Sequence, residues 1–271
     1  MNTKEKLIIG VTERGDPSIN YEWVHKMDAV DGAVIITKNL TPKFQEAILP
    51  FADKCILHAS ITGLGGTAME PNLPKWQDSL LQLTNLVKAG FPKDHIVVRV
   101  DPIIPYWDYL ERAEQVIISA YHCGFRRFRI SVMDHYGHVF VRFSEADIPY
   151  PLPAQKSEYG RSFRASEAQM QEVSDVCRRL KARHPDIVIE ACAEKSLRHV
   201  RHCGCVSAYD FQILGLPYDD IDAPGYQRMG CMCYSGKKEL LTDKARCPYQ
   251  CLYCFWKDMP VDAEADNHER K

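Results

Sequence analysis

The residues best suited to chemistry in this chain are its thiols. Eleven cysteines occur in 271 residues, and seven of them (Cys203, Cys205, Cys231, Cys233, Cys247, Cys251 and Cys254) crowd toward the C-terminus. The tightest group is CPYQCLYC, residues 247–254, with C-x3-C-x2-C spacing and Tyr253 just before the last cysteine. Thiolates bind soft metals, and close spacing lets one short loop present several of them to one centre. Structural zinc sites favour two separated pairs, usually C-x2-C, and Cys231 and Cys233 with the triplet could supply four ligands of that kind. Three thiolates alone suit a [4Fe–4S] cluster with one iron open to a chelating small molecule. Buried free thiols are a further reading. A disulfide framework is not expected of a chain whose composition can bury a core without staples.

The elements that must position these residues can be read from periodicity. Apolar runs rich in β-branched residues predict strands over 6–12, 33–38, 55–62, 95–101, 127–134 and 186–194. Amphipathic stretches predict helices near 18–28, 41–52, 75–89, 107–122 and 167–183. Trp76, Leu80, Leu83, Leu86 and Val87 recur at helical spacing, Gly90 and Gly124 stand where left-handed caps are wanted, and Ser166 with Gln169 forms a capping pattern. Strand–helix alternation implies a parallel sheet with crossover helices. Six such units suit a partial (β/α)6 TIM-like barrel of α/β class rather than a closed eightfold one.

In such folds function sits at the C-terminal ends of the strands. There one parity of each strand is polar: His58, Ser60 and Thr62; Arg99 and Asp101; Arg127, Arg129 and Ser131; Glu190, Cys192 and Glu194. Thr37 and Asn39 share a face, with Lys38 on the other. Together they predict a polar-lined mouth. Residues 135–165, rich in aromatics and arginines, are too long for an ordinary connection and read as a lid or substrate loop. The expected organisation is a barrel over 1–195, a cysteine-rich segment over 196–259 folded across the mouth, and a frayed tail over 260–271.

CPYQCLYC resembles the cluster motif of the radical S-adenosylmethionine superfamily, whose fold is a partial (β/α)6 barrel. The usual members carry the triplet after the first strand; here that loop reads TERGDPSIN and has no cysteine. The C-terminal position is similar to an atypical branch that resembles spore photoproduct lyase along the barrel. IITKN (35–39), MEPNLP (69–74), VRVDPIIP (98–105), ACAE (191–194) and residues 231–254 carry this likeness. It implies Cys247, Cys251 and Cys254 as ligands of a [4Fe–4S] cluster, and Lys38 and Ser60 as holders of S-adenosylmethionine. It further implies Tyr253 near the adenine, and Arg99, Asp101 and Ser131 near the ribose or carboxylate. Glu70 and Asn72, on the Gly-rich loop TGLGGTAMEPN, could approach the cofactor. Cys192 is the candidate for returning a hydrogen atom, with Glu190 and His58 to orient substrate or exchange protons. The roles of Cys231 and Cys233 stay open, a second metal among them.

The likeness favours a nucleobase in DNA or a nucleotide as substrate, by bond cleavage or by rearrangement of a modified base. A free nucleoside or other small metabolite is the rival. A flavodoxin- or ferredoxin-like protein would supply electrons. A formal net charge of -2 gives no general attraction to nucleic acid. No apolar stretch approaches a membrane span, and no secretory leader is expected at MNTKEKLIIGV, so a cytoplasmic location is the expectation. A zinc-stabilised barrel that binds a ligand without radical chemistry is the alternative of a different class.

Overall fold

The computed structural model describes residues 6–150, 155–156, 162–218, 232–242 and 246–257. Cys231, most of 149–161 and the tail expected over 260–271 therefore lie outside or at the edge of the described residues. The strand–helix series begins β1 (Ile9–Val11), α1 (Glu22–Lys26), β2 (Gly32–Thr37), α2 (Pro42–Ile48), β3 (Cys55–Ser60), α3 (Trp76–Lys88), β4 (Ile96–Ile103), α4 (Trp107–His122) and β5 (Arg127–Val132). An excursion follows, with β6 (His135–Tyr136), α5 (Gly137–Glu145), β7 (Gln155–Lys156) and β8 (Ser162–Arg164). The chain then runs through α6 (Glu167–Arg183), β9 (Val188–Ala191), β10 (Arg201–His202), α7 (Ala208–Ile213) and β11 (Lys237–Glu239).

Local chemistry explains the boundaries. Thr41 caps α2, its hydroxyl accepting from the Phe44 N–H at 3.2 Å, with Pro42 in the first turn. Ser166 and Gln169 satisfy each other's backbone N–H at the start of α6. Gly90 and Gly124, at φ +112° and +92°, end α3 and α4 in a backbone region other residues enter at a cost.

All pairings in the large sheet are parallel, in the order β10-β9-β5-β4-β3-β2-β1-β11. The six expected strands are its centre, in sequence order. β10 and β11 extend its two edges and do not pair with each other, so the sheet is an open, partial barrel of α/β class. Sequence reading missed both edge strands, because two or three residues carry no readable period. No helix among the described residues is long and apolar enough to cross a membrane.

Alternate residues of each strand face outward onto the helices, forming the main core around Ile35, Leu57, Val98, Phe128 and Ile189. The other parity fills the barrel in layers. Ile9, Val11, Val34, Ile56 and Val97 make a dry floor with Val206 and Phe211, so α7 closes the N-terminal end. Next comes a charged layer. Arg127 and Arg129 are 4% and 1% exposed, and both bond Glu190, at 3.0 and 2.5 Å. Arg127 also pairs with Asp210 at 2.7 Å, and Arg129 donates to the Gly204 carbonyl at 2.7 Å. Guanidinium groups at this depth persist only with opposite charge in contact. Glu190 therefore answers two arginines and does not line the mouth, which corrects its expected place beside substrate.

The depth of a residue follows from stagger. One row of paired residues, Ser60, Arg99, Arg129 and Glu190, runs across β3, β4, β5 and β9. Ser60 and Arg99 reach the cavity at the top; Arg129 and Glu190 do not. Strands tilted in a barrel carry one row from mouth to interior. His58 lies one inward step below Ser60, fully buried, with neither ring nitrogen hydrogen-bonded to a described residue. Burial, then the charges of Arg129 and Arg99, hold its pKa well below the usual imidazole range. His58 is thus enclosed below the cavity rather than in its wall, where strand parity had placed it.

The C-terminal loop is docked on the strand ends by several independent bonds. Leu252 N–H donates to the Met69 carbonyl at 2.9 Å, and Asn72 Nδ2 donates to the Pro248 carbonyl at 2.7 Å. Arg142 of α5 donates to the Cys254 carbonyl at 2.7 Å and to that of Leu252 at 3.2 Å. The Tyr249 hydroxyl meets Ser18 Oγ at 2.6 Å. Tyr253 hydrogen-bonds Glu70, which also accepts from Lys38 Nζ at 3.0 Å and Thr62 Oγ1 at 2.7 Å. The described part of the 135–165 excursion thus braces this loop through α5.

Two outcomes follow. Glu190→Gln leaves two buried guanidiniums undercompensated and should cost about 3–5 kcal/mol, seen as a lower urea midpoint. Burial pushes the Glu190 pKa up, but Arg129 and Arg127 outweigh it and hold it below 4.5. That stability is present above the unfolded-state pKa and disappears as pH falls through the folded one. Acid unfolding should therefore be steeper in the wild type than in the variant. Glu70→Gln should raise hydrogen exchange at 249–254 by about tenfold or more, as loss of a charge-assisted bond predicts, with β3 and β4 unchanged. Equal exchange in the variant would show that the Glu70 contacts do not hold the loop.

Candidate active site at the barrel mouth

Above the charged layer a cavity of about 1000 Å³ opens at the C-terminal ends of the strands. Lys38, Ser60, Arg99, Asp101, Ser131 and Cys192 line it from the strands, and Cys247, Cys251, Tyr253 and Cys254 from the docked loop. Most residues singled out by sequence are thus brought to one space. Glu190 and His58 lie below it. Glu70, 3% exposed, stands behind Lys38 and Tyr253 as their shared acceptor rather than in the wall.

Lys38 is held from two sides, by Glu70 and by the Asp101 carbonyl at 3.4 Å, and its ammonium lies 5.3 Å from the centre of the Tyr253 ring. Burial alone would lower its pKa, but Glu70, Cys251 and Asp101 outweigh burial and raise it. Lys38 is thus a fixed cation beside the thiol loop. Arg99 Nε donates to Asp101 Oδ2 at 2.7 Å, which fixes the two side chains against each other on β4. Ser131 Oγ donates to Glu194 at 2.9 Å.

The loop after β1 is fixed by Asp16. Its carboxylate accepts from Ser18 N–H at 2.9 Å, Thr37 Oγ1 at 2.7 Å and Lys38 N–H at 2.7 Å. An Asx turn is the sequence signal that could have found Asp16, in the stretch GDPS. Glu13, from the same loop, pairs with Lys237 at 2.8 Å. Burial, then Cys205, raises its pKa.

The cavity carries two kinds of sulfur group. Burial pushes the Cys251 thiol up to about 12 and raises that of Cys247, so metal binding there must displace protons. Cys247 and Cys254 both act on Cys251 electrostatically, so the three face one region. Their donor atoms nonetheless do not gather as tightly as the one trio among the described residues that lies mutually within 4.8 Å, namely Glu13, Cys205 and Cys233. The second group is Cys192, Cys205 and Cys233, all buried and in contact. Hydrogen-bonding contact with Cys192 and Cys233 holds Cys205 well below the usual thiol range, with Arg99 and Arg129 adding to this against its burial. Sequence spacing gave no hint of this group, whose members are far apart in the chain.

Comparison with known proteins supplies a family and little else. No curated protein matches the chain. A cysteine-to-alanine mutant of spore photoproduct lyase is similar at 13% identity and TM-score 0.45, over 61% of this chain and 53% of that one. The matched region thus spans about half the lyase's length. A type I 3-dehydroquinate dehydratase from Clostridium difficile with covalently modified comenic acid is similar at 11% identity and TM-score 0.31, over 79% of this chain and 92% of that one. Both scores fall below the level at which a shared fold follows. One family covers nearly the whole barrel and the docked loop: the chain belongs to the family described as Domain of unknown function (DUF1848), which matches residues 10–256.

Proposed function

We propose that this protein is a radical S-adenosylmethionine enzyme that holds a [4Fe–4S] cluster on Cys247, Cys251 and Cys254 and acts on a nucleobase-containing substrate. The supporting observation is that these three thiols share a cavity of about 1000 Å³ with Lys38, Ser60, Arg99, Asp101 and Ser131. Cys247, Cys251 and Cys254 would hold the cluster, which when reduced would supply an electron for reductive cleavage of S-adenosylmethionine and so for hydrogen-atom abstraction from a substrate carbon.

The chain's own residues position and shield. Lys38 offers a fixed positive charge for the cofactor carboxylate, beside Cys251. Asp101, Ser60 and Ser131 offer oxygens, and Arg99 a guanidinium, that would hold the cofactor's polar groups in the cavity. Tyr253, anchored through Glu70, backs the loop where the adenine would pack. The volume lies at the upper end for small-molecule sites, which leaves room for a cofactor and one unit of substrate. At the rim, Tyr136, Phe255 and the half-exposed Trp256 offer aromatic faces. Such faces stack on bases, which favours a nucleobase over an aliphatic metabolite. With a net charge of -2, a single free or flipped base fits better than tight duplex binding. The redox partner would be a small electron carrier of flavodoxin or ferredoxin type.

Anaerobically prepared protein should be brown and contain about four iron and about four sulfide per chain. It should form 5′-deoxyadenosine from S-adenosylmethionine only with a reductant, and Cys251→Ala should abolish both properties. A colourless protein holding zinc at these thiols would contradict the reading.

A further inference from the structure

We propose that Glu13, Cys192, Cys205 and Cys233 form a second metal site, for a single zinc-class ion, which staples the open seam of the barrel. The inference does not rest on the cluster reading; it concerns different residues and a different part of the cavity wall.

The argument begins with topology. β10 and β11 are the two free edges of the large sheet. Glu13 follows β1 and Cys233 precedes β11, so both belong to one edge. Cys192 follows β9 and Cys205 follows β10, so both belong to the other. The four side chains meet where the ladder fails to close. Among the described residues, hydrogen bonds across the seam include Tyr234 N–H on the Val206 carbonyl at 3.1 Å and Cys205 N–H on the Cys233 sulfur at 3.1 Å. Gly204 permits this approach: a Cβ there would lie 2.4 Å from the Cys233 nitrogen.

Three of the four donors are spaced for one ion, and Cys192, in contact with Cys205 but beyond 4.8 Å from at least one of the other two, completes the shell only by turning its side chain toward them. Cys205 and Cys192 sulfurs are 3.6 Å apart, and donor atoms of Glu13, Cys205 and Cys233 lie within 4.8 Å of one another. Two sulfurs on one tetrahedral zinc, each at about 2.3 Å, stand about 3.8 Å apart. A disulfide would need them at about 2.05 Å, and ligands of a multi-iron cluster would stand wider. Three thiolates select a soft ion, and a carboxylate fourth ligand is within zinc's habit. Three thiolates and one carboxylate around a divalent ion leave two negative charges. Arg99 donates to the Cys205 sulfur at 3.5 Å and Lys237 pairs with Glu13 at 2.8 Å, so two cations stand against them. Glu13, Cys192, Cys205 and Cys233 all line the cavity, so an ion has a path in. As a metal ligand Cys192 would be a thiolate, and it would then not return a hydrogen atom to a substrate radical.

The test uses the full chain with the loop thiols removed (Cys247→Ala, Cys251→Ala and Cys254→Ala together), which clears the proposed cluster site. Elemental analysis should find about one zinc per chain in this variant and in the wild type. Adding Cys205→Ser should reduce zinc at least tenfold. Should that variant not fold, zinc X-ray absorption on the triple variant decides, with three sulfurs and one oxygen expected around the metal. Absence of zinc from the triple variant, a shell of nitrogen and oxygen, full zinc in a folded Cys205→Ser variant, or a Cys192–Cys205 disulfide in anaerobically purified protein would each overturn the proposal. Iron content of the wild type is read separately, so failure of one site is distinguishable from failure of the other.

Discussion

A buried carboxylate, Glu70, is the contact on which the mouth of this barrel depends. At 3% exposure it is stable only while donors surround it, and each donor comes from a different element: Lys38 after β2, Thr62 after β3 and Tyr253 from the C-terminal loop. The same contact fixes the Lys38 ammonium in the cavity wall and fastens the thiol loop above it. A loop that lacked Tyr253 would leave an acceptor of Glu70 short of a partner, so docking and preorganisation of the mouth are one event. This explains how a segment that follows the last strand of the sheet can bring its three cysteines to the mouth. The mouth of a parallel barrel is open to either terminus, and what matters is a buried partner to receive the incoming segment.

The fold was largely legible. Period-two apolar runs marked all six central strands, and the Ser166–Gln169 box and the glycines after α3 and α4 marked helix ends. Parity told which residues face inward, and so gathered Ser60, Arg99, Asp101, Ser131 and Cys192. Parity does not give depth. Stagger carries one paired row from Ser60 down to Glu190, which is why Glu190 and His58 are structural, enclosed residues rather than cavity groups. Lys38 joins the inward face because Ile36 pairs with His58, a register that no local pattern reveals.

The sulfur chemistry was legible only where it is local. CPYQCLYC announces itself by spacing. Glu13, Cys192, Cys205 and Cys233 come together at the open seam of the sheet, from four segments with no common motif, and could be seen only once β10 and β11 were placed at opposite edges. The two sets also differ in kind. One presents thiols spaced around an open region above the strands; the other packs sulfurs in contact across a seam.

The central claim is that the three loop thiols hold a [4Fe–4S] cluster with one iron open to S-adenosylmethionine. Electron paramagnetic resonance of the reduced protein, recorded with and without S-adenosylmethionine, tests it most directly. The account predicts a reduced-cluster signal in the absence of the cofactor and a clear change of that signal on its addition, with both lost in Cys251→Ala. No iron–sulfur signal after anaerobic reconstitution, or a signal indifferent to S-adenosylmethionine, would contradict it.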